Sequence, residues 1–203
     1  MTFEDSTLAT RASRGDVEAF TQLVRKHSNL VYRIALRILG PEDAKDASQE
    51  VWVRVWRSMG SFRLESAFST WLYRITVNTC LSARRREMGQ EAHQAPALSE
   101  SIPYLQEPPG GEGDPEAAAL GRERMDEAIR GLRQIRSDHR AALVLRHMEG
   151  LSYPEIAEIL EVPEGTAKGW VSRGRAGLLV VLSRGEEAGS ERHPTASTER
   201  GEP

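Results

Sequence analysis

The chain has 203 residues, of which 39% are hydrophobic and 28% charged, and its formal net charge is −3. These proportions allow a folded chain of one or two domains and exclude a collagen-like or wholly disordered one. A single cysteine, Cys80, excludes an internal disulfide framework and a cysteine-based zinc cage. No apolar run approaches the ~18 residues of a membrane span, and no signal-peptide pattern occurs, which predicts a cytoplasmic protein without membrane insertion.

Charge and proline content divide the chain into four segments. Residues 1–87 carry a net charge of +4 and residues 117–184 carry +2, whereas residues 88–116 carry −6 and residues 185–203 carry −3. Five of the ten prolines fall in residues 88–116, where they prevent a helix or sheet from propagating. We therefore predict two small domains joined by a flexible acidic linker, followed by a disordered tail.

The first block has the apolar spacing of three helices. Asp16 is a suitable N-cap for a helix that ends at Gly40, and a second helix follows to about Ser58. A third helix carries apolar side chains from Phe68 onward and ends in an arginine triplet at residues 84–86.

The second block has helical spacing at about residues 117–133, 138–148, 153–160 and 164–182. No segment of either block alternates for long with the two-residue period of a half-buried strand, so the predicted fold class is all-α. A block of this size buries only about 60% of its unfolded surface, which leaves each domain little stability to spare without a partner.

A helix-turn-helix is the most specific pattern in the second block. Ser152 and Glu155 have the spacing of a capping box, and a break at residues 161–163 precedes a longer helix. At about 100° per residue, the buried stripe of that helix is predicted to consist of Ala167, Val171, Gly174 and Leu178. The opposite face, with Lys168 at its edge, carries small and cationic residues: Gly165, Thr166, Gly169, Ser172 and Arg173.

The outward face of this longer helix suits DNA. Small and cationic side chains let a helix approach the major groove closely and bond to base edges and phosphates. The alternative is a plain helical hairpin with a solvated basic face, which the capped short helix and the tight turn disfavour. Trp170 flanks the buried stripe and is expected to pack rather than to contact bases.

The first block carries two weaker groupings. Trp71, Tyr73, Arg74 and Asn78 share a helix with the arginine triplet, and aromatic side chains interleaved with cations suit single-stranded nucleic acid. The alternative is an aromatic core with solvated arginines. On the second helix, an acidic and aromatic edge consists of Asp46, Gln49, Glu50, Trp52 and Trp56. Taken alone, that edge is better explained by a solvated face with core tryptophans than by a partner site.

Three segments together resemble motifs of bacterial sigma factors, in the family's order: residues 43–52, 67–79 and 146–157 with 165–168. A short linker as the only connection between the two domains is typical of the extracytoplasmic-function subgroup. The resemblance implies an alternative sigma factor that binds core RNA polymerase, directs promoter-specific initiation and is held inactive by an anti-sigma factor. The acidic linker would then thread a polymerase channel that nucleic acid otherwise occupies.

The resemblance also implies three sets of contact residues. The coiled coil of the largest polymerase subunit would be contacted by Asp46, Gln49, Glu50, Trp52 and Val55. The −10 element would meet Arg63, Ser66, Ala67, Phe68, Trp71, Arg74 and Asn78. The −35 element would be read by Thr166, Lys168, Gly169, Ser172, Arg173 and Arg175. The resemblance also implies that the protein binds the polymerase flap and promoter DNA.

Three positions depart from the family pattern. The family often has serine at the position of Gly169 and arginine at that of Trp170. Gly174 replaces a common alanine, at an expected helix cost of about 0.8–1 kcal/mol. These departures preserve the helix-turn-helix but leave the −35 sequence open.

Enzymatic interpretations find little support in the sequence. The five histidines are scattered, and no glycine-rich loop has the strand and lysine of a phosphate-binding motif. We therefore predict no catalytic residue, metal or cofactor. Two alternatives stay open: a dimeric helix-turn-helix regulator, which would bind DNA by itself, and a recombinase, which would need a mixed α/β domain that residues 1–87 do not indicate.

Overall fold

The computed structural model describes residues 3–63, 66–90 and 128–190 of the chain. The regular elements of these residues are all helical, which confirms the predicted fold class. The first block contains α1 (Phe3–Ser13), α2 (Val17–Leu39), α3 (Pro41–Ser58), a 3-10 turn (Met59–Ser61) and α4 (Phe68–Gln90). The second contains α5, described over residues 128–133, α6 (Ser137–His147), α7 (Tyr153–Leu160) and α8 (Glu164–Ser190).

Local chemistry explains where α2 ends and α3 begins. The Asp16 carboxylate accepts a hydrogen bond from the Ala19 N–H at 3.0 Å, which caps α2 as the sequence predicts. The helix ends where Gly40 adopts a φ of 101°, a conformation that favours glycine. Pro41 then occupies the first turn of α3, where its missing N–H removes no helical hydrogen bond.

Three helices differ from the predicted segments. The sequence pattern does not predict α1, because its buried face includes the small side chains of Ala9 and Ala12 and shows weak periodicity. α4 continues to Gln90 and α8 to Ser190, into the segments predicted to be linker and tail. Since the next proline lies further along the chain in both places, helix propagation is not blocked there. The remainder of the predicted linker and tail lies outside the described residues.

Buried side chains of the described residues form two apolar clusters. One belongs to the first block alone and includes Leu23, Met59 and Phe68. The other spans both blocks, because Ile38 of α2 and Ile156 of α7 belong to the same cluster. The two blocks, each of which was expected to lack stability alone, therefore pack against each other.

α6 and α8 approach closely at Gly174. A Cβ atom at this position would lie 2.7 Å from the His139 carbonyl oxygen. Gly174 belongs to the predicted stripe of α8, whose members Ala167 and Val171 are buried and whose member Leu178 is partly buried. The stripe is thus confirmed, and the glycine that was expected to weaken the helix is what allows this packing.

Candidate nucleic-acid and partner-protein interfaces

An acidic edge lies on α3. Asp46 and Gln49 are exposed, and Glu50 is half-buried and accepts a hydrogen bond of 2.7 Å from Arg54 Nε one turn further on. That hydrogen bond lowers the pKa of the Glu50 carboxyl below its usual value. The edge can therefore present the ionised Glu50 carboxylate to a basic partner at neutral pH.

The apolar side chains of α3 differ in exposure. Trp52 is partly buried and stands edge-on to Phe20, with ring centroids 6.1 Å apart. Val55 is fully buried, because it belongs to the inward stripe of α3, and this corrects its predicted place at a partner surface. Trp56 is 40% exposed and Val53 is 42% exposed. The structure thus leaves Trp56, rather than Val55, on the accessible side of the helix.

A cavity of about 330 Å³ opens where α4 begins. Its walls combine hydroxyl, aromatic and guanidinium groups, and they consist of Ser61, Phe62, Arg63, Ser66, Trp71 and Arg74. Such a wall can stack on a base and donate hydrogen bonds to its edge or to a phosphate. Ser61 and Phe62 were not among the predicted contact residues, although Phe62 has a sequence signal as an aromatic residue between the predicted second and third helices.

An aromatic cluster supports the cavity from behind. The Phe62 ring lies 5.0 Å from that of Trp71, and the Phe68 ring lies 5.9 Å from each of them. Phe68 also packs on His27 of α2, with ring centroids 5.5 Å apart, and is 1% exposed. Phe68 therefore supports the cavity wall from behind, and its burial differs from the accessible position that the predicted DNA contact requires.

Two further predicted contact residues lie outside the set that lines the cavity. Ala67 is half-buried, and its carbonyl accepts a hydrogen bond of 3.1 Å from the Trp71 N–H at the start of α4. Asn78 is exposed on α4, one turn beyond Arg74. A contact between Asn78 and DNA would therefore lie further along α4 than the cavity.

The helix-turn-helix consists of α7 and α8, as the sequence predicts. The Ser152 N–H donates to Glu155 Oε2 at 2.8 Å, and the Glu155 N–H donates to Ser152 Oγ at 3.4 Å, which completes the capping box. Hydrogen bonds from Ser152 lower the pKa of the Glu155 carboxyl. Glu161 then ends α7 with a φ of 54°, so the chain turns sharply before α8.

The outward face of α8 combines exposed and half-buried residues. Lys168, Ser172, Arg173 and Arg175 are exposed, and Thr166 and Gly169 are half-buried. Lys168 pairs with Glu164 at 2.7 Å, and Arg173 Nε donates to His139 Nε2 at 3.3 Å. Trp170 packs against the apolar cluster, as predicted. The face can therefore offer cations to DNA, while Trp170 holds the helix in place.

Arg74 connects the cavity to the helix-turn-helix. Its Nη2 donates to the carboxylate and to the backbone carbonyl of Glu158, at 3.4 Å in each case. Its Nε lies 3.9 Å from the carboxylate of Glu161. The helix that lines the cavity thus packs directly on the first helix of the helix-turn-helix.

Glu149 inserts its carboxylate between α2 and α4. Arg37 Nη1 lies 3.2 Å from Oε1, while Arg33 Nη2 and the Tyr73 hydroxyl donate to Oε2 at 3.4 Å and 3.2 Å. The Glu149 side chain is 4% exposed. Burial lowers the pKa of Arg37, although the nearby Glu149 charge acts in the opposite direction. For Tyr73, burial is the main cause of a raised pKa, and the Glu149 charge raises it further. Gly150, with a φ of 71°, provides the turn after Glu149.

Two arginines of the second block contact the junction between α2 and α3. Arg140, which is 2% exposed, donates to the backbone carbonyls of Ile38 and, at 2.6 Å, of Arg133. Arg133 itself covers Gly40 and pairs with Glu42 at 2.9 Å. Polar contacts therefore flank the shared apolar cluster between the two blocks.

Comparison with known proteins identifies the two blocks. Residues 23–89 match the family model of Sigma-70 region 2, and residues 125–178 match that of Sigma-70, region 4. The RNA polymerase sigma-H factor of Pseudomonas aeruginosa is 34% identical, over 88% of this chain and 94% of that protein. The ECF RNA polymerase sigma-E factor of Escherichia coli is also 34% identical, over 86% and 92% respectively. The chain belongs to the extracytoplasmic-function sigma factors.

The fold of this sigma factor also resembles a solved structure. CnrH, in complex with the cytosolic domain of CnrY, matches with a TM-score of 0.63 and 26% identity over 89% of this chain and 98% of that chain. The acidic edge and the cavity lie in region 2 of the sigma factor, and the helix-turn-helix lies in region 4. Among the described helices, none combines the length and the apolarity needed to cross a bilayer.

Proposed function

We propose that this sigma factor binds core RNA polymerase, directs it to specific promoters and performs no catalysis itself. The observation that carries the proposal is the presence, in one sigma-family chain, of an aromatic and cationic cavity and a capped helix-turn-helix. The first suits a base taken out of the DNA stack, and the second suits duplex DNA. Because promoter recognition takes place on chromosomal DNA, the protein would act in the cytoplasm.

Each interface receives one role in this proposal. The acidic edge of α3 would contact a basic coiled coil of the largest polymerase subunit, and region 4 would contact the flap. The cavity would receive a base of the −10 element, and the outward face of α8 would read the −35 element. The domain bounds at residues 1–87, 88–116, 117–184 and 185–203 remain part of the proposal.

Reading both promoter elements requires the two regions to separate. The −10 and −35 elements lie about 25 base pairs apart, which corresponds to about 85 Å of B-form DNA at ~3.4 Å per base pair. A compact chain of this length has a radius of gyration of about 17 Å. Since regions 2 and 4 share an apolar cluster, the described arrangement cannot span that distance. We assign the described arrangement of regions 2 and 4 to the state of the protein before polymerase is bound.

An anti-sigma factor is the expected regulator of this sigma factor. Support comes from the similarity to CnrH, whose solved structure contains the cytosolic domain of a second protein, CnrY. A protein that binds both regions in their contacting arrangement would prevent the separation that promoter recognition requires.

Transcription in vitro tests the proposal. Core RNA polymerase should initiate at specific genomic promoter fragments only when this protein is added. Reversing the charges of Asp46 and Glu50 to lysine should abolish co-purification with core polymerase and initiation, while far-UV circular dichroism stays unchanged. The matched control is Glu18→Lys, a reversal at an exposed position of α2.

Two results would contradict the proposal. Promoter-specific initiation that does not depend on the protein would remove its assigned role. Tight, sequence-specific binding of duplex DNA by a dimer without polymerase would favour the helix-turn-helix regulator instead.

A further inference from the structure

The carboxylate of Glu149 occupies an anion site whose donors all belong to region 2. Arg33 and Arg37 lie one turn apart on α2, and Tyr73 lies on α4. Their two guanidinium groups and one hydroxyl converge on the two oxygens of a single carboxylate, at 3.2–3.4 Å. Guanidinium groups in such an arrangement match phosphate oxygens as well as carboxylate oxygens.

The position of these donors relates them to the cavity. Tyr73 directly precedes Arg74, which lines the cavity. In the described arrangement Arg74 is also covered by carboxylates of region 4, those of Glu158 and Glu161. Two groups of cationic side chains of region 2, Arg74 at the cavity and the pair Arg33 and Arg37 on α2, are thus each covered by acidic side chains of region 4.

Stability alone is a weak explanation for this arrangement. A buried ion pair often contributes little net stability, because removing both charges from water offsets their attraction. The apolar cluster between the regions already provides an interface without these charges. If the regions separate, the anion site of region 2 loses its carboxylate and faces solvent.

We infer that Arg33, Arg37 and Tyr73 form a binding site for a backbone phosphate of promoter DNA, next to the cavity. Glu149 occupies this site while regions 2 and 4 are in contact and leaves it when they separate. The inference rests on the proposed function, because it requires DNA to lie along α4. It adds a phosphate contact on α2, outside the residues that the sequence resemblance assigns to DNA.

The test measures binding of a promoter fragment by the holoenzyme, reconstituted from core RNA polymerase and the full chain, over a series of salt concentrations. Arg33→Gln and Arg37→Gln should each weaken binding about tenfold, the effect of losing one charge-assisted hydrogen bond. Each should also reduce the slope of log K against log salt by about one. Discrimination among −10 sequences should not change, because a phosphate contact carries no base information.

Two variants control for charge and for folding. Arg25→Gln removes an exposed cation of the same helix outside the anion site and should leave affinity and salt slope close to wild type. The double variant Arg37→Gln with Glu149→Gln removes both charges and leaves no buried charge unpaired. If Arg37 binds phosphate, the double variant should show the same loss of DNA binding as the single variant.

Several outcomes would overturn the inference. If Arg37 only anchors region 4, Arg33→Gln, Arg37→Gln and the double variant will all bind the promoter like Arg25→Gln. Unchanged DNA binding with reduced co-purification with core polymerase would assign the site to a protein carboxylate. A wild-type holoenzyme that binds no promoter would instead refute the proposed function, so the two failures are distinguishable.

Discussion

In region 2 the walls of the cavity depend on an aromatic cluster that packs on a distant part of the sequence. In region 4 the predicted DNA-binding side chains all lie on α8, which directly follows α7 in the sequence. Phe62, Phe68 and Trp71 meet beneath the cavity, and His27 of α2 packs on Phe68 from a distant part of the sequence. The helix-turn-helix consists of α7, α8 and the turn between them, which are consecutive in the sequence. A site that depends on distant core residues should lose its shape when the core is changed, whereas a local site should respond to its caps and close packing.

The strongest test of this difference is Phe68→Ala. Removing a fully buried ring should lower the free energy of unfolding by about 3–5 kcal/mol and weaken −10 binding with it, because the cavity wall loses its support. Urea denaturation monitored by circular dichroism measures the change in the free energy of unfolding. Val53→Ala, at an exposed position of α3, should stay within about 0.5 kcal/mol of wild type. A small effect of Phe68→Ala would mean that the cavity does not depend on this cluster.

The next test concerns the close approach of α6 and α8. Gly174→Ala should lower the free energy of unfolding by about 1–3 kcal/mol, because its Cβ would meet the His139 carbonyl oxygen at 2.7 Å. This cost should exceed the gain of up to about 1 kcal/mol from better helix propensity. Gly165→Ala, where a Cβ meets open space, is the matched control for denaturation. A more stable Gly174→Ala variant would show that the two helices can move apart at no cost.

Arg173 and Lys168 test what the outward face of α8 reads. Arg173→Ala should weaken holoenzyme binding by about 1–3 kcal/mol and relax discrimination at one −35 base pair, if it makes a bidentate base contact. Lys168→Ala should instead weaken all promoters similarly and reduce the salt slope by about one, as expected for a phosphate contact. Binding to promoters with each −35 base changed in turn separates the two effects. If Trp170→Arg changed base preference while Arg173→Ala did not, the assigned orientation of the face would be wrong.

The smallest expected effect concerns the capping box. Ser152→Ala should lower the free energy of unfolding by about 1 kcal/mol, because one amide at the start of α7 loses its partner. The lowered pKa of Glu155 adds a dependence on pH: its folded pKa lies below the usual 4.5, so its contribution is present above pH 4.5 and is lost as pH falls through the folded value. Thermal denaturation of wild type and Glu155→Gln as a function of pH measures this. Curves that stay parallel as pH falls from above 4.5 through the acid range would show that the Glu155 carboxylate does not contribute to the cap.

The two regions also differ in how much of their structure could be predicted from the sequence. In region 4 the capping box, the break at residues 161–163 and the buried stripe of α8 were predictable, because each depends on neighbours within a few turns. In region 2 the resemblance to sigma factors assigned Arg63, Trp71 and Arg74 to one set of contacts, but neither the resemblance nor the helical spacing could distinguish lining residues from supporting ones. Helical spacing identifies a face, and it does not tell which of several aromatic residues is covered by another helix.

The sequence by itself determined the all-α fold, the ends of α2 and α3, the helix-turn-helix and the family of this protein. The fold, the helix ends and the helix-turn-helix follow from hydrogen bonds and side-chain spacing that act over at most a few turns. The family was instead indicated by the resemblance of three motifs to those of sigma factors. Only the tertiary structure decided that Val55 and Phe68 are buried, and that Glu149 meets Arg33 across a separation of 116 residues. Such a pairing has no local signal, because it depends on which helix faces come together when the two regions bury their apolar surface.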